Sequence, residues 1–339
     1  MLDQTNIRAK QQYLKGLTMS RIGVIIPAYN SGRQLSTTVN SILTQNGDFD
    51  IQILIIDDFS TDETTKNTLG DLRKNLPVTV INNDMNVGIC RSRNIGLSLL
   101  SESTDYILFV DHDDVLEPFA IQKFITAFSN KPNAIAVMGI AYKFGPLVTS
   151  GENEEFIESQ LKRRHVSFCN GKFDVSYESV NQLSFPIILS SYTVHPPAKA
   201  MIRTDALIES GVTFEKRFEL VEDWIFWIKL LRHGEILAIE EITAGYLWHQ
   251  SNNSKRKDHP AQLKRAWRYL FWYSLQSRSY LFGYLITTNR NRIDSCEHYR
   301  SLPVTSIIPK LKYWCKSCIT SLLSIFLLLL IRSESMNKR

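Results

Sequence analysis

Apolar and polar positions in the first 110 residues fall into blocks that switch between two periods. Ile22-Gly23-Val24-Ile25-Ile26 is a near-continuous apolar run ending at Pro27, Ile51 to Ile56 is a second ending at Asp57 and Asp58, and Val78 to Ile81 and Tyr106 to Val110 are two more. Between them Arg33 to Gln45, Asp62 to Asn75 and Cys90 to Leu100 carry helical spacing, with Thr61 or Asp62 placed to cap the second. Short apolar runs alternating with amphipathic stretches predict βα units. Runs without polar interruption belong to strands covered on both faces, so the expected fold is α/β with a mostly parallel central sheet flanked by helices. Ligands of such sheets collect beyond the carboxyl ends of the strands. Tyr29, Asn30, Asp57, Asp58 and the cluster Asp111-His112-Asp113-Asp114 all fall there.

That cluster supplies the first candidate chemistry. Carboxylates at the tip of a buried strand suit a hard divalent cation, Mg²⁺ or Mn²⁺, and Mg²⁺ takes few protein ligands and completes its shell with substrate phosphates. The alternative is an acidic turn that caps a helix after Pro118.

Six segments, taken in order, resemble the family-two inverting glycosyltransferases of GT-A fold. Val24-Ile25-Ile26-Pro27-Ala28-Tyr29-Asn30 resembles the opening strand of that family, and Ile55-Ile56-Asp57-Asp58-Phe59-Ser60-Thr61-Asp62 its second strand and turn, with Phe59 where Gly or Ala is more usual. Asn86-Val87-Gly88 through Arg93-Asn94-Ile95-Gly96 is similar to the loop and helix that meet the nucleotide, with Arg91 at a position often small. Asp111-His112-Asp113-Asp114 matches the metal motif, Glu222-Asp223-Trp224 the catalytic-base motif, and Tyr246-Leu247-Trp248-His249 with Ser251 and Ser254 the closing segment. The resemblance covers roughly Arg21 to Ser254; Phe144 to Pro197 does not match in detail.

The resemblance implies metal-dependent transfer of a sugar from a nucleotide-sugar donor, a UDP-sugar, to a glycan or lipid-linked acceptor, as in cell-surface polysaccharide synthesis. It implies Asp223 as base, with Glu222 beside it at the donor or as a helix-start cap. Pro27, Ala28, Tyr29, Asn30, Asp58 and Arg93 then meet the nucleotide, Asp111 meets the ribose or metal, and Asp113 and His249 hold the metal, with Asp114 an alternate ligand or support. A base is needed to take the acceptor proton, and a metal to stabilise the departing diphosphate. Two other readings stay open: a polyprenyl-phosphate sugar synthase, which needs no strong base, and a catalytically silent nucleotide-binding or scaffold protein at the membrane.

Composition modifies this picture at one end only. The chain has 339 residues, 44% hydrophobic and 22% charged, enough for one large core or two smaller domains. Its net charge of +5 hides a split: residues to Gln250 carry 23 Lys+Arg against 30 Asp+Glu, and Ser251 onward 16 against 4. Gln262 to Tyr284 interleaves basic and aromatic side chains, and 317–331 is an uncharged, Leu-rich run flanked by Lys310, Lys312, Lys316, Arg332, Lys338 and Arg339. As a helix that run reaches only about 22 Å, short of a hydrocarbon core of about 30 Å. It is expected to lie in or partly insert into a membrane, or else to pack as a terminal core helix. A Leu-rich run has no use on DNA, so a nucleic-acid partner is not expected. No apolar signal segment follows Met1, and the five cysteines, Cys315-x-x-Cys318 included, suggest neither a disulfide framework nor a metal site. The expected location is the cytoplasmic face of the cell membrane, peripheral or anchored. The expected organisation is a lead at 1–20, a catalytic domain at 21–254 divided near 142 into nucleotide and acceptor halves, a basic aromatic extension at 255–310 and an anchor candidate at 311–332.

Overall fold

The computed structural model describes residues 19–100, 102–146, 148–161, 163–169, 172–178, 182–183, 195–249, 252 and 259–274. The 317–331 run, the Cys315/Cys318 pair, Ser251, Ser254 and nearly all of the 1–20 lead lie outside them. So does most of the basic extension.

The four expected strands form as read: β1 (Ser20–Ala28), β2 (Phe49–Asp57), β3 (Val78–Asn82) and β4 (Tyr106–Phe109). They pair in parallel in the order β3-β2-β1-β4, with Ala28 opposite Asp57 and Asp57 opposite Asn82, so their carboxyl ends share one edge. Beyond β4 the sheet continues through β10 (Ala200–Arg203), β6 (Ala134–Phe144), β11 (Glu235–Leu247) and β5 (Val115–Leu116), with β9 (Gln182–Leu183) also on β11. It is therefore mixed rather than uniformly parallel. β10 runs antiparallel to both neighbours, β4 and β6, while β6 and β11 run parallel to each other.

The helices are α1 (Gln34–Leu43), α2 (Glu63–Asn75), α3 (Ile89–Leu100), α4 (Ala120–Asn130), α5 (Ser150–Leu161), α6 (Thr204–Ser210), α7 (Glu222–Leu230) and α8 (His259–Ser274). Alternate side chains of a strand face opposite ways, and both faces of β1 are covered. Ile22, Val24 and Ile26 join a core with Leu35, Val39 and Ile42 of α1, Leu69 and Leu72 of α2, and Ile121, Phe124 and Phe128 of α4. On the other face Ile25 meets α3 so closely that a Cβ on Gly96 would stand 2.4 Å from its Cγ2. There Phe109, Phe214 and Phe226 stack edge and face, with α7 supplying Phe226.

The chain divides into two compact units. The larger takes Met1–Arg163, Ser179–Ser184 and Tyr192–Leu263 and contains the nine-stranded sheet. The smaller takes Arg164–Glu178, Phe185–Ser191 and Lys264–Arg339; it includes nearly all of the ribbon β7 (Arg163–Cys169) and β8 (Lys172–Glu178), and most of α8.

Candidate active site

Three loops at the carboxyl edge of the parallel strands are tied into one surface by short hydrogen bonds. The Asp58 amide donates to Ala28 O at 2.8 Å, the Asn30 amide to Ser60 Oγ at 3.0 Å, and the Thr61 amide to Asn30 Oδ1 at 2.9 Å. Pro27 and Ala28 are buried at the end of β1, whereas Tyr29 and Phe59 leave their rings about half exposed on the two braced loops. Asn30 and Phe59 both adopt left-handed backbone, φ 46° and 68°. A side chain with a Cβ is uncommon in that region, and the cost is borne at sites where the surrounding bonds over-determine the turn. Asp58, implied by the resemblance to meet the nucleotide, also braces a third loop. Its buried carboxylate accepts from the amides of Val87 and Gly88, both at 2.8 Å, and from Asn83 Nδ2 at 2.9 Å, and so it holds the loop that opens α3.

The acidic turn after β4 is pinned from two directions. The Thr38 hydroxyl of α1 lies 2.9 Å from His112 O and 2.7 Å from Asp114 O. From the end of β11, His249 Nε2 meets Asp113 Oδ2 at 2.9 Å and the Leu247 amide reaches Asp114 Oδ1 at 3.3 Å. Asn252 fixes this closing segment, accepting from the His249 amide at 2.6 Å and donating to Leu247 O at 3.0 Å.

Arg93 links this turn to the second acidic pair. The guanidinium is 1% exposed; Nη2 donates to Asp111 Oδ1 at 2.5 Å and Nη1 to Glu222 Oε1 at 2.8 Å. Asp111, at a strand tip, and Glu222, in the first turn of α7 more than a hundred residues later, are thus held by one planar cation. Asp223 follows Glu222 directly; its Oδ1 accepts from the Trp224 amide at 2.7 Å and its Oδ2 lies 3.2 Å from His195 Nδ1. His195 lies in the stretch where the sequence matches no motif, and only the fold brings it here.

The electrostatics divide the two α7 acids. Burial pushes the Glu222 carboxyl up to about 7, with the charge of Arg93 opposing and that of Asp223 adding to it. Burial acts on Asp223 in the same direction. There the His195 hydrogen bond and charge, the Arg93 charge and the Trp224 amide outweigh it and hold the group below the usual carboxylate range. At neutral pH Asp223 is therefore fully ionised, while Glu222 is close to its midpoint. Burial disfavours charge on Arg93, but Asp111 and Glu222 more than offset this and keep it protonated.

The β4 turn has a surplus of negative charge. Burial, then the Asp113 and Asp111 charges, push the Asp114 carboxyl well up, and its Oδ2 is buried without a hydrogen-bond partner among the described residues. Among the described residues no three His, Cys, Asp or Glu side chains stand together as a ready-made cation cage. Mg²⁺ needs only one or two carboxylates when phosphates and water complete its shell. An orphaned carboxylate oxygen beside Asp111, Asp113 and His249 is a donor set that fits such an ion.

The comparisons with known proteins converge on one family. The glycosyl transferase family 2 model matches residues 23–184. An uncharacterized glycosyltransferase of Haemophilus influenzae is 32% identical over 178 residues, covering 51% of this chain and 68% of that protein. The chain belongs to glycosyl transferase family 2. As members of this family are, it is a glycosyltransferase. The minor teichoic acid biosynthesis protein GgaA of Bacillus subtilis is 28% identical over 258 residues, covering 72% of this chain; the chain spans 49% of GgaA's own length. Among solved structures, S. aureus TarS 1–349 in complex with UDP-GlcNAc superposes with a TM-score of 0.60 at 16% identity, over 89% of this chain and 81% of that one. That likeness shows the GT-A-type fold.

Proposed function

We propose that this glycosyltransferase transfers a sugar, with inversion, from a UDP-sugar to a hydroxyl of a glycan or lipid-linked acceptor, in cell-surface polysaccharide synthesis at the cytoplasmic face of the membrane. The observation that carries the proposal is the Arg93 bridge. It sets the Asp111–Asp114 turn and the Glu222-Asp223 pair side by side, as a displacement needs when charge leaves at one end and a proton is removed at the other.

In this reading Asp223 takes the acceptor hydroxyl proton on its carboxylate as that oxygen bonds to the anomeric carbon. The bond from the anomeric carbon to the diphosphate oxygen breaks, and its electron pair leaves with the UDP. The braced loops at 28–30 and 58–62 and the turn at 86–88 receive the nucleotide, and Arg93 fixes Asp111 and Glu222. Asp113 and His249, with Asp111 or Asp114, would hold Mg²⁺ or Mn²⁺, which when bound neutralises charge on the diphosphate. An ionised, nearly buried Asp223 favours a hydroxyl acceptor over a lipid phosphate, whose charge it would repel. The UDP-GlcNAc in the TarS complex supports a UDP-sugar donor, and GgaA's name, a minor teichoic acid biosynthesis protein, supports a wall- or surface-polymer product.

The test is release of UDP from a panel of UDP-sugars, with Mg²⁺, with Mn²⁺ and with EDTA. Release that requires the cation and falls by about 10²- to 10⁴-fold in Asp223→Asn, with unchanged thermal unfolding, is the expected result. Full turnover in EDTA would remove the metal from the reading, and full turnover in Asp223→Asn would remove the base.

A further inference from the structure

β10 is the reversed strand inside the sheet, between β4 and β6: Met201 lies opposite Leu108 and Arg203 opposite Tyr106. Reversal brings the start of β10, and the residues that lead into it, to the carboxyl end of β4, where the acidic turn begins. His195 stands five residues before β10, followed by buried Pro196 and Pro197, so its backbone approaches the site along a stiff segment. Its ring sits edge-on to Tyr246 with centroids 4.5 Å apart and planes at 90°. Nδ1 lies 3.2 Å from Asp223 Oδ2, while Nε2 is buried and has no hydrogen-bond partner among the described residues.

We propose that His195 is the positioning residue for Asp223: its Nδ1–H fixes the carboxylate in the orientation from which it takes the acceptor proton. This rests on the reading of Asp223 as the base. A carboxylate can only accept, so Nδ1 carries the hydrogen. Nε2 then faces no acceptor among the described residues. A histidine kept for stability alone would satisfy both nitrogens, as buried polar groups ordinarily do. This one directs its whole hydrogen-bonding capacity at one oxygen of Asp223, while the Trp224 amide holds the other. Tyr246 blocks the ring from swinging away.

The arrangement has a consequence in pH. Among the described residues, the charged and titratable groups that bear on Asp223 are His195 ahead of β10, Arg93 and Cys90 on α3, and Glu222 on α7, with Asp111 acting on that set from beyond β4. Burial raises Asp223, and His195 is foremost among the groups that bring it down. Without His195 the carboxylate loses its proton only at higher pH, so the acid limb of the rate profile moves upward.

The experiment uses the full chain and the UDP-sugar that gives the fastest UDP release in the panel, with water as acceptor, in wild type, His195→Phe, His195→Asn and Asp223→Asn from pH 5 to 9. His195→Phe is expected to lower kcat by about 10- to 100-fold, the cost of a misplaced catalytic group, to leave donor KM within about twofold, and to move the acid limb to higher pH. His195→Asn, whose side-chain amide can donate from a similar place, keeps the limb where wild type has it. A slower His195→Phe whose acid limb stays put, alongside an inactive Asp223→Asn, overturns the role of His195 and leaves the base standing. An Asp223→Asn as active as wild type overturns the base reading and this inference with it. If His195→Phe fails to fold, ¹⁵N spectra of the wild-type imidazole decide: an Nδ1–H tautomer supports the proposal, and an Nε2–H tautomer overturns it.

Discussion

Arg93 shows how much one side chain can organise. Its fork matches two carboxylates from distant parts of the chain, and a lysine ammonium, a point charge on a flexible stem, cannot meet both in the same geometry. Arg93→Lys is expected to fold and to lose most turnover, because Asp111 and Glu222 are no longer held to one plane. Arg93→Ala leaves the buried Glu222 and the partly buried Asp111 without their shared cation, a change that costs about 3–5 kcal/mol. Adding Asp111→Asn and Glu222→Gln to Arg93→Ala removes the stranded charges. That triple variant should recover much of the stability but none of the activity, as urea unfolding and UDP release would show together. Recovery of activity would mean that Arg93 serves stability alone. Much at this scale is legible before folding, since Asp111, Asp113 and Asp223 stand where apolar runs begin or end and His249 stands in a closing motif. The bridge is not legible. Arg93 meets partners 18 and 129 positions away from it, whereas in sequence it reads as a charge turned towards the nucleotide.

Elements carry the site through two local devices, a cap and a close approach. Asp62 caps α2, accepting from the Thr65 amide at 2.8 Å. Asp62→Ala should cost about 1 kcal/mol and Asp62→Asn much less, because asparagine caps nearly as well. The Thr65 hydrogen bonds hold the Asp62 carboxyl below its ordinary 3.8. Its stabilisation is therefore whole above about pH 4 and fades as pH falls through the lowered value. The difference between wild type and Asp62→Ala in urea midpoint should narrow accordingly in acid. The close approach is Gly96 on Ile25. Gly96→Ala forces α3 off β1 and costs about 1–3 kcal/mol by overpacking, and it moves Arg93, one turn earlier, with it. Ile25→Ala in the same chain makes room, so the double variant should be less destabilised than the two singles added together. Additive losses would show that α3 does not rest on this contact. The alternating βα blocks to Val110 were readable from periodicity, and α2 begins at the expected cap. β10 was not, because a four-residue strand inserted backwards between β4 and β6 has a partner choice that no local pattern records. His195 was hidden for the same reason, since its place depends on that strand's direction.

At the scale of the whole molecule the basic, apolar tail bears on where the enzyme works. Among the described residues no helix is long and apolar enough to cross a membrane, and the 317–331 run lies outside those residues. The sequence supports surface binding on two independent grounds, a tail with 16 Lys+Arg against 4 Asp+Glu and an uncharged Leu-rich run within it. The grounds make different predictions. Basic residues beside an anionic bilayer contribute about 1 kcal/mol each near the surface and are screened by salt, whereas an inserted apolar run holds regardless of salt. We propose that both act together. In co-sedimentation with phosphatidylglycerol vesicles the full chain should bind at low salt and keep a residual fraction bound at 1 M NaCl. Leu327→Asp/Leu329→Asp should abolish the salt-resistant fraction but leave low-salt binding. Changing Lys310, Lys312 and Lys316 to Gln should do the reverse. Equal recovery with neutral phosphatidylcholine at every salt would reduce the tail to a simple apolar anchor, and no binding to either vesicle would place the Leu-rich run inside a protein core and send the search for the acceptor away from the membrane.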